Sequence, residues 1–360
     1  MIYSYPDYYK KFRCIADKCP DTCCSDWQIV IDDESLEKYR NYAGEYRQTL
    51  HRNIQWEEGV FGHNRKGKCA FLRDDGLCDM YKHMGKDSLC TTCREYPRHT
   101  EEFENIREIS LSLSCPEVAR ILLQKTEPVT FVCEEDDEEE VFEDYDYFLF
   151  SNLEDIREEI LKLTQNREES LKARIGKVLQ IGASAQRHYE EGDLIDWDEC
   201  EDTDKVCVKD EYELFRKHMG FLSEELELLY QDWDDVLVES EVLLFDQGEA
   251  GFTENKKRFL SWWGNSSLPP LEIVLEQIVV YFISIYLLGA VYDGNILGKI
   301  DSAVGHVTVI FLLLLARWIK CSEKLEMADL IELVYRYSRE IEHSDENLDR
   351  VEELDWFIRI

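Results

Sequence analysis

Nine of the thirteen cysteines lie between residues 14 and 115, at spacings that allow neighbouring thiols to bind one metal centre. Thiolates are preferred ligands of zinc and of the iron in iron–sulfur clusters. The alternative, nine ordinary buried cysteines, would need these thiols to cluster by chance. We therefore predict that all nine are metal ligands: Cys14, Cys19, Cys23, Cys24, Cys69, Cys78, Cys90, Cys93 and Cys115.

The spacing within this cysteine set leaves the kind of centre open. Cys90-x2-Cys93 is a common two-ligand motif, whereas the adjacent Cys23 and Cys24 cannot easily both bind one ion. One of that adjacent pair could therefore serve a neighbouring centre. A 4Fe–4S cluster needs four thiolates, and structural zinc takes four thiolates or a mixture of thiolates and imidazoles. Three histidines of the same region could supply imidazole: His63, His83 and His99.

Motifs of several common catalytic sites are missing from the chain. Cys19-x3-Cys23 matches the first gap of the Cys-x3-Cys-x2-Cys triad of radical enzymes, but Asp26 occupies the third position. No Gly-x-Gly-x-x-Gly follows a predicted strand, and there is no P-loop and no His-Glu-x-x-His. A cysteine–histidine nucleophile pair stays open, although metal ligation explains the thiols better. The catalytic residues are therefore not identified.

Acidic residues dominate the composition, with 77 Asp and Glu against 41 Lys and Arg and a net charge of −36. Residues 1–125 hold 19 basic and 21 acidic residues, which leaves 22 basic and 56 acidic residues for the rest. Such a chain has no basic stripe to neutralise phosphates, so we do not expect it to bind nucleic acid. The acidic part either attracts a basic group, such as a lysine side chain, or is a solvated surface.

The apolar segments indicate a soluble cytoplasmic protein. The N-terminus lacks the apolar core and the cleavage site of a signal peptide. The two most apolar stretches, Ile278–Tyr292 and Ala303–Ala316, are shorter than the ~20 residues of a membrane helix. We expect buried core helices without membrane insertion. In the cytoplasm thiols stay reduced, which favours metal ligands over disulfides.

The elements that must position the cysteines are short. Trp27–Asp32 and Ile106–Ser114 alternate apolar and polar residues, as short strands do. We predict a mainly α fold in which a small, irregular α+β cysteine-rich metal-binding module precedes a helical domain. The predicted boundaries are 1–125 for the module, 126–143 for an acidic connector and 144–360 for the helical domain.

The predicted helical domain has apolar residues at helical spacing, with charges between them. This pattern covers Leu153–Val178, Leu222–Leu244 and Glu323–Glu342. Asn265–Pro270 predicts a break, and Asp293–Asn295 predicts a turn between the two most apolar helices. Globular helical packing is therefore expected after the acidic connector.

Five segments, in order, resemble the flagellin lysine-N-methylase family. The resemblance covers about residues 9–120, with a weaker similarity at residues 292–299. The matching segments are Tyr9-x2-Phe12-x-Cys14, Cys19-x3-Cys23-Cys24-x2-Trp27-x-Ile29-x-Ile31-Asp32, Cys69-x2-Leu72-x3-Gly76-x-Cys78-x2-Tyr81, Leu89-Cys90-x2-Cys93-x2-Tyr96-Pro97-Arg98 and Leu111-Ser112-Leu113-Ser114-Cys115-Pro116-Glu117.

The resemblance implies a bacterial enzyme that transfers a methyl group from S-adenosylmethionine to lysines of flagellin, or of a similar lysine-bearing surface protein. It also implies a 4Fe–4S cluster held by the N-terminal cysteines. A sulfonium donor favours aromatic faces, which Trp27, Tyr81 and Tyr96 could supply, and Arg98 could bind the donor's carboxylate. Packing around the metal site is the alternative role of these four residues.

A second function class stays open beside the methyltransferase. The wider superfamily of this cysteine pattern includes small proteins described only as zinc- or iron-chelating. The chain would then be a non-enzymatic module that delivers metal or docks a partner.

Overall fold

A computed structural model describes residues 1–25, 27–65, 67–137, 145–192, 211–230, 232–354 and 356. Helices make up most of these residues, and two small sheets and irregular loops make up the remainder, which confirms the mainly α fold class. Residues 138–143 of the predicted acidic connector lie outside the described ranges. The predicted domain boundaries stay predictions.

Short elements alternate over the first 137 residues. The strands are β1 (Ile2–Pro6), β2 (Ile54–Gln55), β3 (Val60–Phe61), β4 (Arg98–Phe103), β5 (Ile106–Leu111) and β6 (Phe131–Glu135). The helices are α1 (Asp33–Asn41), α2 (Arg47–Arg52), α3 (Asp79–Met84), α4 (Thr91–Glu95) and α5 (Pro116–Leu123). One sheet has the order β4-β5-β1-β6, in which only β1 and β5 are parallel, and β2 pairs with β3.

The two strand predictions have different outcomes. Residues 106–111 form β5, as the alternation in Ile106–Ser114 predicts. The prediction of a strand over Trp27–Asp32 is wrong, because the segment forms only a single bridge between Val30 and Val60. Ile29 and Ile31 are buried while Val30 is 57% exposed, so the alternation records burial along an irregular segment.

Strand β6 was not predicted from the sequence. All five of its side chains are exposed, so the segment has no apolar alternation to identify it. It pairs antiparallel with β1, from Ile2 opposite Glu135 to Pro6 opposite Phe131. Backbone hydrogen bonds therefore place this strand, and its acidic end stays in solvent.

Ten helices follow among the described residues: α6 (Tyr147–Thr164), α7 (Leu171–Glu191), α8 (Glu211–Glu224), α9 (Trp233–Phe245), α10 (Gly248–Gly264), α11 (Leu271–Tyr286), α12 (Ala290–Asp293), α13 (Ile296–Lys320), α14 (Met327–Glu342) and α15 (Asp345–Glu352). Side chains of Asp146, Ser170 and Ser344 cap three of them by accepting backbone N–H groups. The predicted turn is present, since Gly294 has a φ of +70° at the end of α12.

Helices α11 and α13 form the centre of the helical region. The helical stretches Leu271–Asp293 and Ile296–Lys320 are long and apolar enough to cross a membrane. However, 72% and 89% of their most apolar windows are buried inside the fold. They therefore pack as core helices, as expected, and the absence of membrane insertion stays a prediction.

Buried apolar residues fall into two clusters. The larger cluster joins the four-stranded sheet and α5 to the helices that follow. The smaller cluster, which we call the cysteine core, contains residues from Ile29 to Cys90 and includes buried Cys69. Cys24, Cys78 and Cys93 pack against the cysteine core from its edge. Apolar packing and predicted metal ligands thus occupy the same place.

Candidate metal centre

Two pairs of predicted ligands lie within hydrogen-bonding reach. The hydrogen bond that Cys23 and Cys24 share lowers the pKa of the Cys24 thiol and raises that of Cys23. Cys90 immediately precedes α4, and that helix turns Cys93 back towards it. Their hydrogen bond lowers the pKa of Cys90 and raises that of Cys93. Each pair therefore contains one thiol that ionises more readily, which is the form that binds metal.

Cys69 and Cys78 lie beside these pairs. The backbone N–H of Cys69 donates to the carbonyl of Cys24 at 2.8 Å, and Cys78 bridges to Leu72. Burial and, to a smaller extent, the neighbouring thiols of Cys24, Cys78 and Cys90 raise the pKa of Cys69 to about 12. The backbone contacts and the shared packing against the cysteine core bring thiols from distant parts of the chain into one region.

A second group contains Cys14, Cys19 and Cys115. Burial raises the pKa of Cys115 to about 11, and the charges of Cys19 and Cys14 add to the increase. The Cys19 thiol donates to the backbone carbonyl of Asp21 at 3.0 Å. The nine predicted ligands all carry free thiols in this structure.

The donor set suits a thiophilic metal, but its coordination geometry is not preformed. Across the described ranges, no three His, Cys, Asp or Glu side chains are arranged to hold a metal ion. The residues that could bind a cluster or zinc by donor chemistry and proximity are Cys23, Cys24, Cys69, Cys78, Cys90 and Cys93, with Cys14, Cys19 and Cys115 as the second group.

One of the three histidines stands out as a further donor. His63 bridges to Cys69, and its buried Nε2 has no hydrogen-bond partner among the described residues. His83 stacks on Tyr46 at a ring distance of 4.8 Å, and His99 pairs with Glu101. His63 is therefore the better placed of these three for an imidazole ligand.

The structure brings two of the four predicted donor-binding residues together. Trp27 donates its Nε1–H to the carbonyl of Cys23 at 2.8 Å, and its ring lies 5.9 Å from the Tyr96 ring. The Arg98 guanidinium lies over the Phe12 ring at 5.2 Å. Tyr81, on α3, is 50% exposed. Of the three predicted aromatic faces, the structure therefore places those of Trp27 and Tyr96 side by side, and their role in donor binding stays a prediction.

The end of α14, which the sequence does not mark as part of the site, packs against the cysteine loops. Arg339 is fully buried, forms an ion pair with Asp21 at 3.2 Å and donates to the carbonyl of Ser114 at 3.0 Å. His343 bonds to the Ser114 hydroxyl at 2.9 Å, and its ring lies 4.4 Å from Trp27. The positive charge of Arg339 also lowers the pKa of neighbouring Cys24. The available sequence signal is the position of Arg339 within the amphipathic helix that Glu323–Glu342 predicts.

The C-terminal part of the chain matches a described family. The model of the FliB lysine N-methylase C-terminal domain matches residues 157–356, which contain α14 and Arg339. The chain belongs to the FliB lysine N-methylase family. This confirms the resemblance that the N-terminal cysteine motifs indicate.

Three individual proteins are similar to the chain over a shorter segment of 127 residues. The chain is 32% identical over 127 residues to lysine-N-methylases of Salmonella typhimurium and Salmonella choleraesuis. That alignment covers 33% of this chain and 31% of each relative. The chain is also 32% identical over 127 residues to the flagellar biosynthetic protein FliU of Salmonella muenchen, and this alignment covers 75% of FliU. No solved structure matches the chain.

Proposed function

We propose that this protein is a lysine N-methyltransferase that methylates flagellin, with S-adenosylmethionine as donor and an iron–sulfur cluster bound by the N-terminal thiols. The supporting observation is the buried contact between Arg339 and Asp21. Arg339 lies in the segment that matches the lysine N-methylase domain, and Asp21 lies among the cysteines. The contact joins the two parts of the chain that carry the family similarity.

Methyl transfer places clear demands on the protein. An ammonium group has no lone pair, so the lysine must first lose a proton from a group whose ordinary pKa is about 10.4. The amine nitrogen then attacks the methyl carbon, the carbon–sulfur bond breaks, and its electron pair stays on sulfur as a neutral thioether. Burial lowers the pKa of a lysine, so a water-poor acceptor site would favour the reactive amine.

The proposed cluster follows from the donor set. Free thiols within one region provide more than the four thiolates that a 4Fe–4S cluster needs. A bound cluster would cross-link segments that are distant in sequence and contribute to folding. Zinc is the competing occupant and corresponds to a non-enzymatic role in metal delivery or partner docking. The cytoplasm, where thiols stay reduced, is the location that this proposal requires.

Anaerobic purification followed by a methylation assay tests the proposal. We expect a brown protein with broad visible absorption, and lysine methylation of flagellin by mass spectrometry when S-adenosylmethionine is added. Omission of the donor is the control. A colourless protein with stoichiometric zinc would contradict the cluster, and unmodified flagellin with an intact cluster would contradict the activity.

A further inference from the structure

An open cleft lies on the cysteine-rich region. Its volume is about 590 Å³, within the range of pockets that bind small molecules and cofactors. Its walls come from the loop around Asp17 and the loop around Asp74, and Cys19 also lines it. These loops meet at Gly76, where an added Cβ would lie 3.7 Å from Cα of Asp17. The cleft therefore opens beside the predicted ligands.

A buried hydroxyl without a partner lines this cleft. Ser25 is 2% exposed, and its Oγ forms no hydrogen bond within the part of the chain that the structure describes. Burial of an unpaired hydroxyl is costly, so a ligand atom that bonds to it would bind favourably. Ser25 forms a bridge with Lys68, which also lines the cleft. The backbone pairing therefore brings Ser25 and Lys68 to the same part of the cleft lining.

Charges of both signs are available in the cleft. Arg73 forms ion pairs with Asp75 and Asp79. In contrast, the Lys68 ammonium and the carboxylates of Asp17 and Asp74 form no ion pair among the described residues. A ligand with both a carboxylate and a cationic group would complement this arrangement.

We propose that this cleft binds the methyl donor, with Lys68 at its carboxylate, Asp17 and Asp74 at its ammonium and sulfonium, and the Ser25 hydroxyl at a polar atom. The donor class is an adenosyl amino acid that carries a sulfonium. This assignment rests on the proposed function, because that function supplies the ligand. It places the donor beside the predicted thiol ligands, since Cys19 lines the same cleft.

Binding measurements on the full chain with its metal test the assignment. Titration calorimetry would compare S-adenosylmethionine with S-adenosylhomocysteine, which lacks the sulfonium charge. We expect Lys68→Ala to lower the affinity for both ligands by about tenfold or more, since a charge-assisted hydrogen bond is lost. Asp74→Asn should lower the affinity for S-adenosylmethionine more than the affinity for S-adenosylhomocysteine. Lys86→Ala and Asp87→Asn, outside the cleft lining, are matched controls that should leave both affinities unchanged.

The outcomes separate this assignment from the proposed function. Unchanged donor affinity in folded Lys68→Ala and Asp74→Asn proteins would overturn the cleft assignment, even if wild type methylates flagellin. Donor binding that depends on these residues, without flagellin methylation, would support the assignment and contradict the proposed function. Loss of flagellin-peptide binding alone in Asp74→Asn would show that the cleft holds the acceptor lysine, and would also overturn the assignment.

Discussion

At the residue scale, the paired thiols are the most specific feature of this protein. Cys90 and Cys93 share a hydrogen bond that lowers the pKa of Cys90, as the Cys23–Cys24 pair does for Cys24. Their positions follow from local sequence, because a two-residue gap at a helix start brings the side chains to one side. The residues that surround them, such as Arg339, come from far along the chain.

Replacement of either thiol of the α4 pair tests its role as a ligand. Cys90→Ser and Cys93→Ser should each lose most of the bound metal and several kcal/mol of stability, because metal binding contributes folding energy. Elemental analysis and urea unfolding would measure both effects. Cys321→Ser, at an exposed cysteine outside both groups, should keep the metal. Full metal content in both α4 variants would show that these cysteines are not ligands.

At the element scale, close packing around α13 and hydrogen bonding by α14 organise the helical region. Gly305 of α13 lies against the buried Trp356, where an added Cβ would overlap the indole ring. Near the end of α14, Glu340 accepts the backbone N–H groups of Leu229 and Tyr230 at 2.8 and 2.6 Å. These contacts bind the C-terminal segment and the 225–230 loop to the core.

Alanine at two helical glycines should have opposite effects. Gly305→Ala should reduce the free energy of unfolding by about 2 kcal/mol, because Trp356 must move to avoid overlap. Gly176→Ala on α7 is the matched control, since nothing lies within 4 Å of its added Cβ. It should stabilise by about 0.5–1 kcal/mol through helix propensity. Changes in the free energy of urea unfolding that have the same sign in both variants would contradict this packing.

The carboxyl group of Glu340 should make stability depend on pH. Burial raises its pKa from 4.5 to about 7, so the folded state holds the proton more tightly than the unfolded state. Its stabilising contribution is therefore present below pH 4.5 and is lost as the pH rises through 7. Between pH 5 and 8, wild type should lose about 2.5 kcal/mol of unfolding free energy relative to Glu340→Gln, which does not titrate. If urea unfolding shows that the unfolding free energies of wild type and Glu340→Gln change equally with pH, this expected dependence is wrong.

At the scale of the whole molecule, α14 connects the helical region to the cysteine loops. Arg339 pairs with Asp21, 318 positions away, and the Tyr230 hydroxyl donates to the same carboxylate at 2.5 Å. Glu342 accepts hydrogen bonds from Tyr281 at 2.6 Å and Tyr286 at 3.0 Å. Polar groups buried in this way must be paired, so the contact specifies how the two regions fit.

Removal of the Arg339 charge should destabilise the whole protein. Arg339→Met leaves Asp21 without its buried cation and should cost about 3 kcal/mol. Arg350→Met on α15 is the matched control, because its pairs with Glu225 and Glu346 are partly exposed and should be worth less than about 1 kcal/mol. Chemical unfolding of both variants would measure the difference. Equal losses of unfolding free energy would show that the buried ion pair stabilises the protein no more than the exposed pairs do.

The amino-acid sequence by itself determined the helical class, the apolar helices α11 and α13 and the family, because periodicity and motif spacing are local properties. Only the tertiary structure decided that β6 pairs with β1, that Trp27 packs on His343 and that Arg339 meets Asp21. Those contacts join residues far apart in the chain. Their partners depend on how whole elements pack, which no local pattern records.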